Sequence, residues 1–350
     1  MPTASAASSG SLPLTSREVQ LLSVPDGLPR PEHFRVVEKP MPQPGEGEVR
    51  VRNRYFLVFP GLRTVVGGGV EGAPFPGAKP GDPLFGMAVG EVVTAASDGG
   101  GPRVGELVSH WLGWREYAVV PVGACTPLGD ALPDPVAHLS HGPLAYAALT
   151  RGAELRSGET VFVSGGAGAV GSMTGQIARL LGAGRVIGST GSAEKAGRMT
   201  ESLGYDAVIL REPAESLSAR LAEAAPDGID VFVDMVGGDQ LRAAIDVARP
   251  GARFALVGAL SGQLSAHGTG TSALVGIDAF QLIVKRITMR GISGLDHPET
   301  HREWSRRFGT WLRAGEITFP HVRIAGMDRA APALNEMIEG RHLGAVVVEL

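Results

Sequence analysis

Short apolar runs separated by polar turns characterise the first part of the chain. These runs are Arg17–Leu22, Phe34–Lys39, Glu48–Phe59, Gly86–Ala95, Leu107–Trp111 and Glu116–Val120. Their length and their bounding turn residues are typical of β-strands. The Gly- and Pro-rich segment Val66–Pro83 predicts a long surface loop. Residues 1–130 are therefore predicted to form a β-rich domain whose short strands close a barrel-like core.

From residue 131 onward the pattern changes, because apolar strands now alternate with helical segments. The predicted strands are Val161–Ser164, Arg185–Gly188, Ala207–Ile209, Val231–Asp234 and Arg253–Val257. The predicted helices are Val170–Leu181, Glu194–Leu203, Glu215–Ala225 and Gln240–Ala248. This alternation predicts an α/β domain over residues 131–298, with a doubly wound parallel sheet covered on both faces.

The end of the chain is predicted to return to the first domain. A last helix, Glu299–Ala314, precedes a β-like tail that ends in Ala345–Glu349. We therefore assign residues 1–130 and 299–350 to one domain and residues 131–298 to the other.

A glycine-rich turn joins the strand at Val161 to the helix that follows it. The run GGAGAVG contains the pattern G-x-G-x-x-G. The first of these glycines allows a tight turn, the second lets the backbone approach a pyrophosphate, and the third lets helix and strand pack closely. The free N–H groups of the helix N-terminus would bind the pyrophosphate. The turn therefore predicts dinucleotide binding by Gly166, Gly168, Ala169, Val170 and Gly171.

The end of the second predicted strand distinguishes NAD from NADP. NAD enzymes usually carry an acid about 20 residues after the glycine turn, where it binds the ribose hydroxyls. Here the strand ends in IGSTGS without an acid, Lys195 follows shortly, and Arg211 lies just past the third strand. Taken singly, each cation could equally be a solvated surface charge. Together with the missing acid they favour NADP(H), held by Ser192, Lys195 and Arg211.

Composition excludes several classes of partner and site. The net charge is −4, which gives no basic excess for binding nucleic acid. No run of 18 apolar residues is free of polar groups, and the N-terminus lacks the features of a signal peptide, so we expect a cytoplasmic protein without a membrane span. One cysteine and nine histidines do not supply the ligands of a zinc dehydrogenase, and His110, His138 and His141 lack metal-site spacing. We expect no metal.

The chain resembles the medium-chain dehydrogenase/reductases. The residues that carry the resemblance are Glu46–Tyr55, Ser164–Gln176, Asp230–Gly238 and Glu339–Gly344. It is most similar to the zinc-independent branch of prostaglandin reductases, leukotriene B4 dehydrogenases and curcumin reductases, over residues 17–350. The resemblance implies a GroES-like catalytic domain, a Rossmann domain, NADPH, reduction of an activated C=C bond, and homodimers joined through the edges of the Rossmann sheets.

The resemblance also assigns individual residues. Lys195 matches the family's lysine at the 2′-phosphate, and the segment Gly142–Tyr146 matches one near the nicotinamide. His342 stands where the family has an asparagine that contacts the cofactor, and Arg211 where it has a tyrosine. The loop beside the nicotinamide is matched by Gly258, Ala259, Leu260 and Ser261.

The substrate side departs from the family pattern. The family's Asp-Pro-Tyr-Met-Arg motif reads FPGLR here, so that only Pro60 and Arg63 remain. Gln263 replaces a tyrosine, and Leu144 replaces a threonine near the nicotinamide. The usual prostaglandin or simple enone is therefore not the expected substrate.

Hydride transfer without a Lewis acid is easiest as conjugate addition to an α,β-unsaturated carbonyl. Such a reaction needs hydrogen-bond donors at the carbonyl oxygen and a source of a proton for the α-carbon. The candidate catalytic residues are Tyr55, Tyr146 and His141, although packing roles are as probable for both tyrosines. Arg63 and Trp114 are candidate substrate contacts, with core packing as the alternative for Trp114.

These observations predict an NADPH-dependent enoyl or enone reductase acting on a small molecule, with a bulky or polyketide-like intermediate as the candidate substrate. An NADPH:quinone oxidoreductase and a non-catalytic NADPH-binding protein are the alternatives.

Overall fold

Strands dominate the first part of the chain, as the hydrophobic pattern predicts. The computed structural model describes residues 12–71, 75–294 and 298–350. The elements up to residue 147 are β1 (Thr15–Leu21), β2 (Phe34–Pro40), β3 (Glu48–Val58), α1 (Leu62–Val66), β4 (Ala88–Thr94), β5 (Leu107–His110), β6 (Tyr117–Pro121), β7 (Thr126–Pro127) and α2 (Gly142–Ala147). A single π-helical turn, Ala148–Gly152, continues α2.

Strands and helices then alternate through the middle of the chain. They are β8 (Thr160–Val163), α3 (Gly171–Leu180), β9 (Arg185–Thr190), α4 (Ala193–Ser202), β10 (Ala207–Leu210), α5 (Leu217–Ala224), β11 (Ile229–Asp234), α6 (Gly238–Val247), β12 (Ala248–Leu256), α7 (Leu260–Gln263), α8 (Ala279–Lys285) and β13 (Thr288–Gly291). The chain closes with α9 (Pro298–Ala314), β14 (His321–Ala325), α10 (Ala330–Ile338) and β15 (Ala345–Glu349).

The middle strands form one parallel sheet in the order β10-β9-β8-β11-β12-β13. Alternation along β8 places Val161 and Val163 in one apolar layer, while Phe162 stacks on Phe232 in the layer on the other face. Two buried layers explain why the strands are almost wholly apolar. The strand order reverses direction between β8 and β11, and ligands bind at such a point, beyond the carboxyl ends of the strands.

The remaining strands form the β-rich part, where β1 and β2 pair antiparallel and a second sheet has the order β14-β15-β3-β4-β5-β7, with β6 also on β3. In β3, Phe56 and Val58 enter one core cluster and Leu57 another, as the period of two requires. The α/β class, with a β-rich domain and a Rossmann sheet, is confirmed.

The C-terminal segment contacts both parts of the molecule. Strand β15 pairs antiparallel with β3 and parallel with β14. Helix α9 packs instead beside α2, where Trp304 and Phe308 join the apolar layer of the parallel sheet. The tail is not uniformly β-like as expected, because Ala330, Ala333 and Leu334 recur at helical spacing and bury one face of α10. The domain boundaries themselves stay a prediction.

Candidate cofactor and active site

The glycine-rich turn lies between β8 and α3, at the reversal point of the sheet. Gly166 donates its N–H to the Ser189 carbonyl (2.8 Å), which fastens the turn to β9. A Cβ on Gly171 would lie 2.4 Å from the Gly165 carbonyl oxygen, so only glycine fits there. Gly166 and Gly171 are buried, whereas Gly168 is exposed. The exposed middle glycine leaves room for a ligand to approach the backbone.

A buried polar network beneath this turn was missed by the sequence reasoning. The Ser164 hydroxyl donates to Oδ1 of Asp234 (2.6 Å) and accepts from the Met235 N–H (2.8 Å). The Asp234 carboxylate also accepts from the backbone N–H groups of Val236 and Gly237, at 2.9 Å each. Burial raises the pKa of Asp234, and these hydrogen bonds oppose the shift. The network fixes the ends of β8 and β11 relative to each other.

Two cations meet at the tip of β9. Lys195, near the start of α4, donates from Nζ to the carbonyls of His342 (2.6 Å) and Gly340. The Arg211 guanidinium lies against Gly191, with its Nε 2.9 Å from the position that a Cβ would take. Burial lowers the pKa of Lys195; the Glu194 carboxylate opposes this shift, while repulsion from Arg211 and Arg198 adds to it. A bound anion would relieve this repulsion.

Two other predicted cofactor residues lie close to this tip. Ser192 caps α4, because its Oγ accepts from the Lys195 N–H (3.3 Å). His342 contributes its carbonyl to Lys195, while its ring Nε2 pairs with Glu336 Oε2 (3.0 Å). The structure thus brings together the residues that the sequence assigned to the 2′-phosphate, and their cationic surroundings fit such a group.

The predicted nicotinamide-side turn Gly258–Ser261 lies beyond the carboxyl ends of β11 and β12. Leu260 donates to the Met235 carbonyl (3.1 Å) and Ser261 to that of Val236 (2.9 Å). On the other side of the glycine-rich turn, Gly344 donates to the Ala167 carbonyl (2.8 Å). The C-terminal segment therefore contacts the same end of the sheet.

The three predicted catalytic residues lie in different surroundings. Tyr146 is 2% exposed, and its hydroxyl donates to Glu303 of α9 (2.6 Å). Burial, with the Glu303 bond adding to it, raises the pKa of Tyr146 to about 12. The hydroxyl is already engaged by Glu303 in this structure, and a catalytic role for Tyr146 stays a prediction. Tyr55 is half-buried on β3, with the Arg323 guanidinium 5.3 Å from its ring centre.

His141 keeps an unused hydrogen-bonding atom. It immediately precedes α2, and the residue as a whole is half-buried. Its Nδ1 is buried and has no hydrogen-bond partner among the described residues. Burial lowers the pKa of His141 to about 4, so the imidazole is neutral at pH 7. A neutral ring can donate one hydrogen bond and accept another.

Both predicted substrate contacts, Arg63 and Trp114, are buried in this structure. Trp114 is 0% exposed, because its ring packs on Phe56 (5.2 Å between centres) inside the core of the β-rich part. Arg63 is also 0% exposed, and its Nη1 donates to the Thr269 carbonyl (2.9 Å). Neither side chain lines an open surface.

Trp111 belongs to an aromatic group whose three phenylalanines the sequence reasoning did not single out. Phe75 lies 4.9 Å from Trp111 and 5.3 Å from Phe85, measured between ring centres, and Phe59 meets Trp111 edge-on at 6.4 Å. Trp111 is 43% exposed. Phe59 also packs on the core cluster that contains Leu57 and Val347. Ala169 of the glycine-rich turn packs on the same cluster. These four rings form an open apolar wall, here called the aromatic wall.

No group of three or more His, Cys, Asp or Glu side chains within residues 12–71, 75–294 and 298–350 is arranged to hold a metal ion. In the same part of the chain no helix is both long and apolar enough to cross a bilayer.

The β-rich part, the doubly wound sheet and the cradle at its reversal point define a two-domain oxidoreductase of the dinucleotide-binding class. The family model for the N-terminal domain of oxidoreductases matches residues 17–128, and that for zinc-binding dehydrogenases matches residues 169–309. The chain is 31% identical to a putative NADP-dependent oxidoreductase of Bacillus subtilis, over 96% of this chain and 98% of that one. It belongs to the medium-chain dehydrogenase/reductase family.

Two further relatives are similar over the whole chain. The NADPH-dependent curcumin reductase of Escherichia coli is 30% identical, with 96% of this chain and 97% of that protein covered. The solved structure of CurA from Vibrio vulnificus in complex with NADPH superposes with a TM-score of 0.85 at 30% identity, covering 95% of this chain and 98% of that one. The resemblance to the curcumin reductase and prostaglandin reductase branch is confirmed.

Proposed function

We propose that this protein is an NADPH-dependent reductase of the C=C bond of α,β-unsaturated carbonyl compounds. The observation that carries the proposal is a glycine-rich turn at the reversal point of the parallel sheet, with two cations at the neighbouring tip of β9. A neutral histidine before α2 is a candidate hydrogen-bond donor to the substrate. The NADP-dependent oxidoreductase and the curcumin reductase among its relatives support both the cofactor and the reaction class.

Each part of the cofactor has a matching group of residues in this proposal. Gly166, Gly168 and Gly171, with Ala169 and Val170 between them, hold the pyrophosphate at the N-terminus of α3. Lys195 and Arg211 bind the 2′-phosphate, assisted by Ser192 and the segment of His342. The turn Gly258–Ser261 lies beside the nicotinamide. When bound, NADPH supplies the hydride that the β-carbon of the substrate accepts.

The chain's own residues then stabilise the charge that develops on the substrate's carbonyl oxygen. His141 donates a hydrogen bond from its neutral ring, and a pKa near 4 means that it is not a ready source of a proton. Tyr55 is the second candidate donor. The α-carbon takes its proton from water or from a positioned group. The aromatic wall favours a bulky substrate with a planar apolar end.

The reaction class is tested by following NADPH oxidation with matched acceptors. We expect kcat/KM for an aryl-substituted enone to exceed that for its saturated ketone by more than about 100-fold, because the saturated ketone has no conjugated double bond. NMR of the product formed with deuterated cofactor should place deuterium on the β-carbon. Faster turnover of a quinone series would favour the quinone reductase instead, and cofactor binding without turnover in either series would favour the non-catalytic alternative.

We also propose a homodimer joined along β13. This strand is at the edge of the parallel sheet, and the adjacent helix α8 exposes Phe280 (67%), Ile283 (71%) and Val284 (53%) on one side. An exposed edge strand beside apolar side chains favours pairing with a second copy. Sedimentation velocity should give twice the 36.3 kDa chain mass. A monomer at micromolar concentration would contradict this arrangement.

A further inference from the structure

The segment 264–278 leaves the parallel-sheet part after α7, contacts α1 of the β-rich part, and returns to α8. It follows α7 and leads to α8, and between them it has no regular secondary structure. Most of its residues are exposed, whereas Gly270 is buried. Because only α7 (Leu260–Gln263) connects the turn Gly258–Ser261 to this segment, a restraint on the segment also limits the movement of the proposed nicotinamide-side turn.

The restraint comes from two neighbouring side chains of α1. Arg63 donates to the carbonyls of Gly268 and Thr269, the latter at 2.9 Å, and Thr64 donates from Oγ1 to the Gly270 carbonyl at 3.0 Å. Three consecutive carbonyls, 205 and 206 positions away from their donors, are thus held by one short helix. Bonds from a charged donor are the stronger kind of hydrogen bond.

Backbone packing brings the same segment close to the β-rich part at two further points. A Cβ on Gly67 would lie 2.3 Å from the Thr269 carbonyl oxygen, and one on Gly27 would lie 2.6 Å from that of Ala266. Side chains could not be accommodated at either glycine without moving the segment. The contact is therefore closely packed and is not a chance approach of an exposed loop.

Burial of the Arg63 guanidinium is costly unless the contact that it makes is needed. The side chain is 0% exposed, and its Nε has no hydrogen-bond partner among the described residues. A buried guanidinium loses its hydration, and a few hydrogen bonds to backbone carbonyls offset only part of that free-energy cost. A leucine or methionine would fill the same space without that cost, so packing alone does not explain an arginine here.

We propose that Arg63 is a positioning residue that ties segment 264–278 to the β-rich part and so holds the turn Gly258–Ser261 in place beside the cofactor. It acts on the turn through the segment and does not itself contact the reacting atoms. Its effect on turnover rests on the proposed function, whereas its effect on the segment can be measured in the ligand-free protein.

The first test measures the segment itself by limited proteolysis of the full-length chain. Thermolysin cleaves before large apolar residues, and Leu274 is 97% exposed within the segment. Arg63→Met should increase the cleavage rate within 264–278 about tenfold or more, because the bonds from the charged group are lost. Arg63→Lys should recover part of the protection. Arg54→Met is the control, because it removes an arginine of β3 that is paired with Glu91 of β4, away from the segment. This variant should be cleaved at the wild-type rate.

The second test separates positioning from a general loss of structure. Arg63→Met should lower kcat about tenfold through misplacement of the turn. The preference for NADPH over NADH should stay unchanged, because the 2′-phosphate contacts lie elsewhere. A merely unstable protein would not show a selective loss of kcat that Arg63→Lys partly restores.

The proposal is overturned if cleavage within 264–278 and kcat are unchanged in Arg63→Met. If that variant does not fold, Thr64→Val decides, because it removes one bond without burying or removing a charge. Faster cleavage of the segment in Thr64→Val supports the proposal, and wild-type cleavage overturns it. If the Arg63 variant is cleaved faster but the wild-type protein reduces no enone, the role of Arg63 in holding the segment is supported. The proposed reaction is then contradicted.

Discussion

Gly171→Ala is expected to raise the Kd for NADPH about tenfold to hundredfold, which corresponds to the 1–3 kcal/mol typical of forcing an extra carbon into a packed site. The added methyl would lie 2.4 Å from the Gly165 carbonyl oxygen and 2.6 Å from the Gly166 Cα. Both neighbours are backbone atoms, so the turn itself must move. The backbone N–H groups of the turn would then lose the common orientation that binding of the pyrophosphate requires. Fluorescence titration with NADPH measures the change.

Gly197→Ala is the matched control for this substitution. Gly197 lies in helix α4 of the same domain, is exposed, and has no atom within 4 Å of an added Cβ. The Kd of Gly197→Ala for NADPH should stay within about twofold of the wild-type value. The alanine should stabilise helix α4 by about 1 kcal/mol. Circular dichroism of the ligand-free Gly171→Ala protein should match wild type. Tight NADPH binding by a folded Gly171→Ala chain would refute the assignment of the turn.

The features that the sequence predicted correctly are local in the chain. The glycine-rich turn is recognisable because strand, turn and helix succeed one another within residues 160–180. The closeness of Lys195 and Arg211 has a similar local cause, since each follows the end of a strand in a parallel sheet, whereas their role at the cofactor stays a prediction. The carboxyl ends of parallel strands meet at one edge, so local patterns are sufficient to place these cations together.

The features that were missed depend on contacts between distant parts of the chain. Ser164 and Asp234 are 70 positions apart and meet only because β8 and β11 are neighbours in the sheet. Tyr146 and Glu303 are 157 positions apart, and their bond requires α9 to pack beside α2. A single sequence does not state which strands are adjacent or which helix covers which face. Hydrophobic periodicity therefore could not indicate that the Tyr146 hydroxyl is already engaged.

Exposure was the other quantity that pattern reasoning misjudged. Trp111 and Trp114 are three residues apart, and the sequence offered no ground for treating them differently. The structure buries Trp114 at 0% exposure against Phe56 and leaves Trp111 at 43% exposure beside Phe75. The buried Trp114 also has a positive φ of 60°. This backbone conformation is uncommon for a bulky residue and is imposed by the surrounding fold.

Lys195→Ala is expected to raise the KM for NADPH about tenfold to hundredfold, because a hydrogen bond between charged groups contributes about 1.5–3 kcal/mol. The KM for NADH should change less than about threefold, since NADH lacks the 2′-phosphate. In this structure Nζ donates to the carbonyls of His342 and Gly340. It therefore exchanges neutral acceptors for a charged one on binding, which favours the lower end of this range. Steady-state kinetics with both cofactors measure the ratio.

Arg211 and Arg198 provide the partner and the control for this prediction. Both cations raise the positive potential at Lys195, but only Arg211 lies against the tip of β9 at Gly191. Arg211→Ala should therefore also reduce the preference for NADPH, and Lys195→Ala/Arg211→Ala should abolish most of it. Arg198→Ala, on the exposed surface of α4, should change the ratio less than about threefold, because an exposed cation is largely screened by water and salt. Equal increases of both KM values in Lys195→Ala would mean that Lys195 supports the fold of the cofactor site without recognising the phosphate.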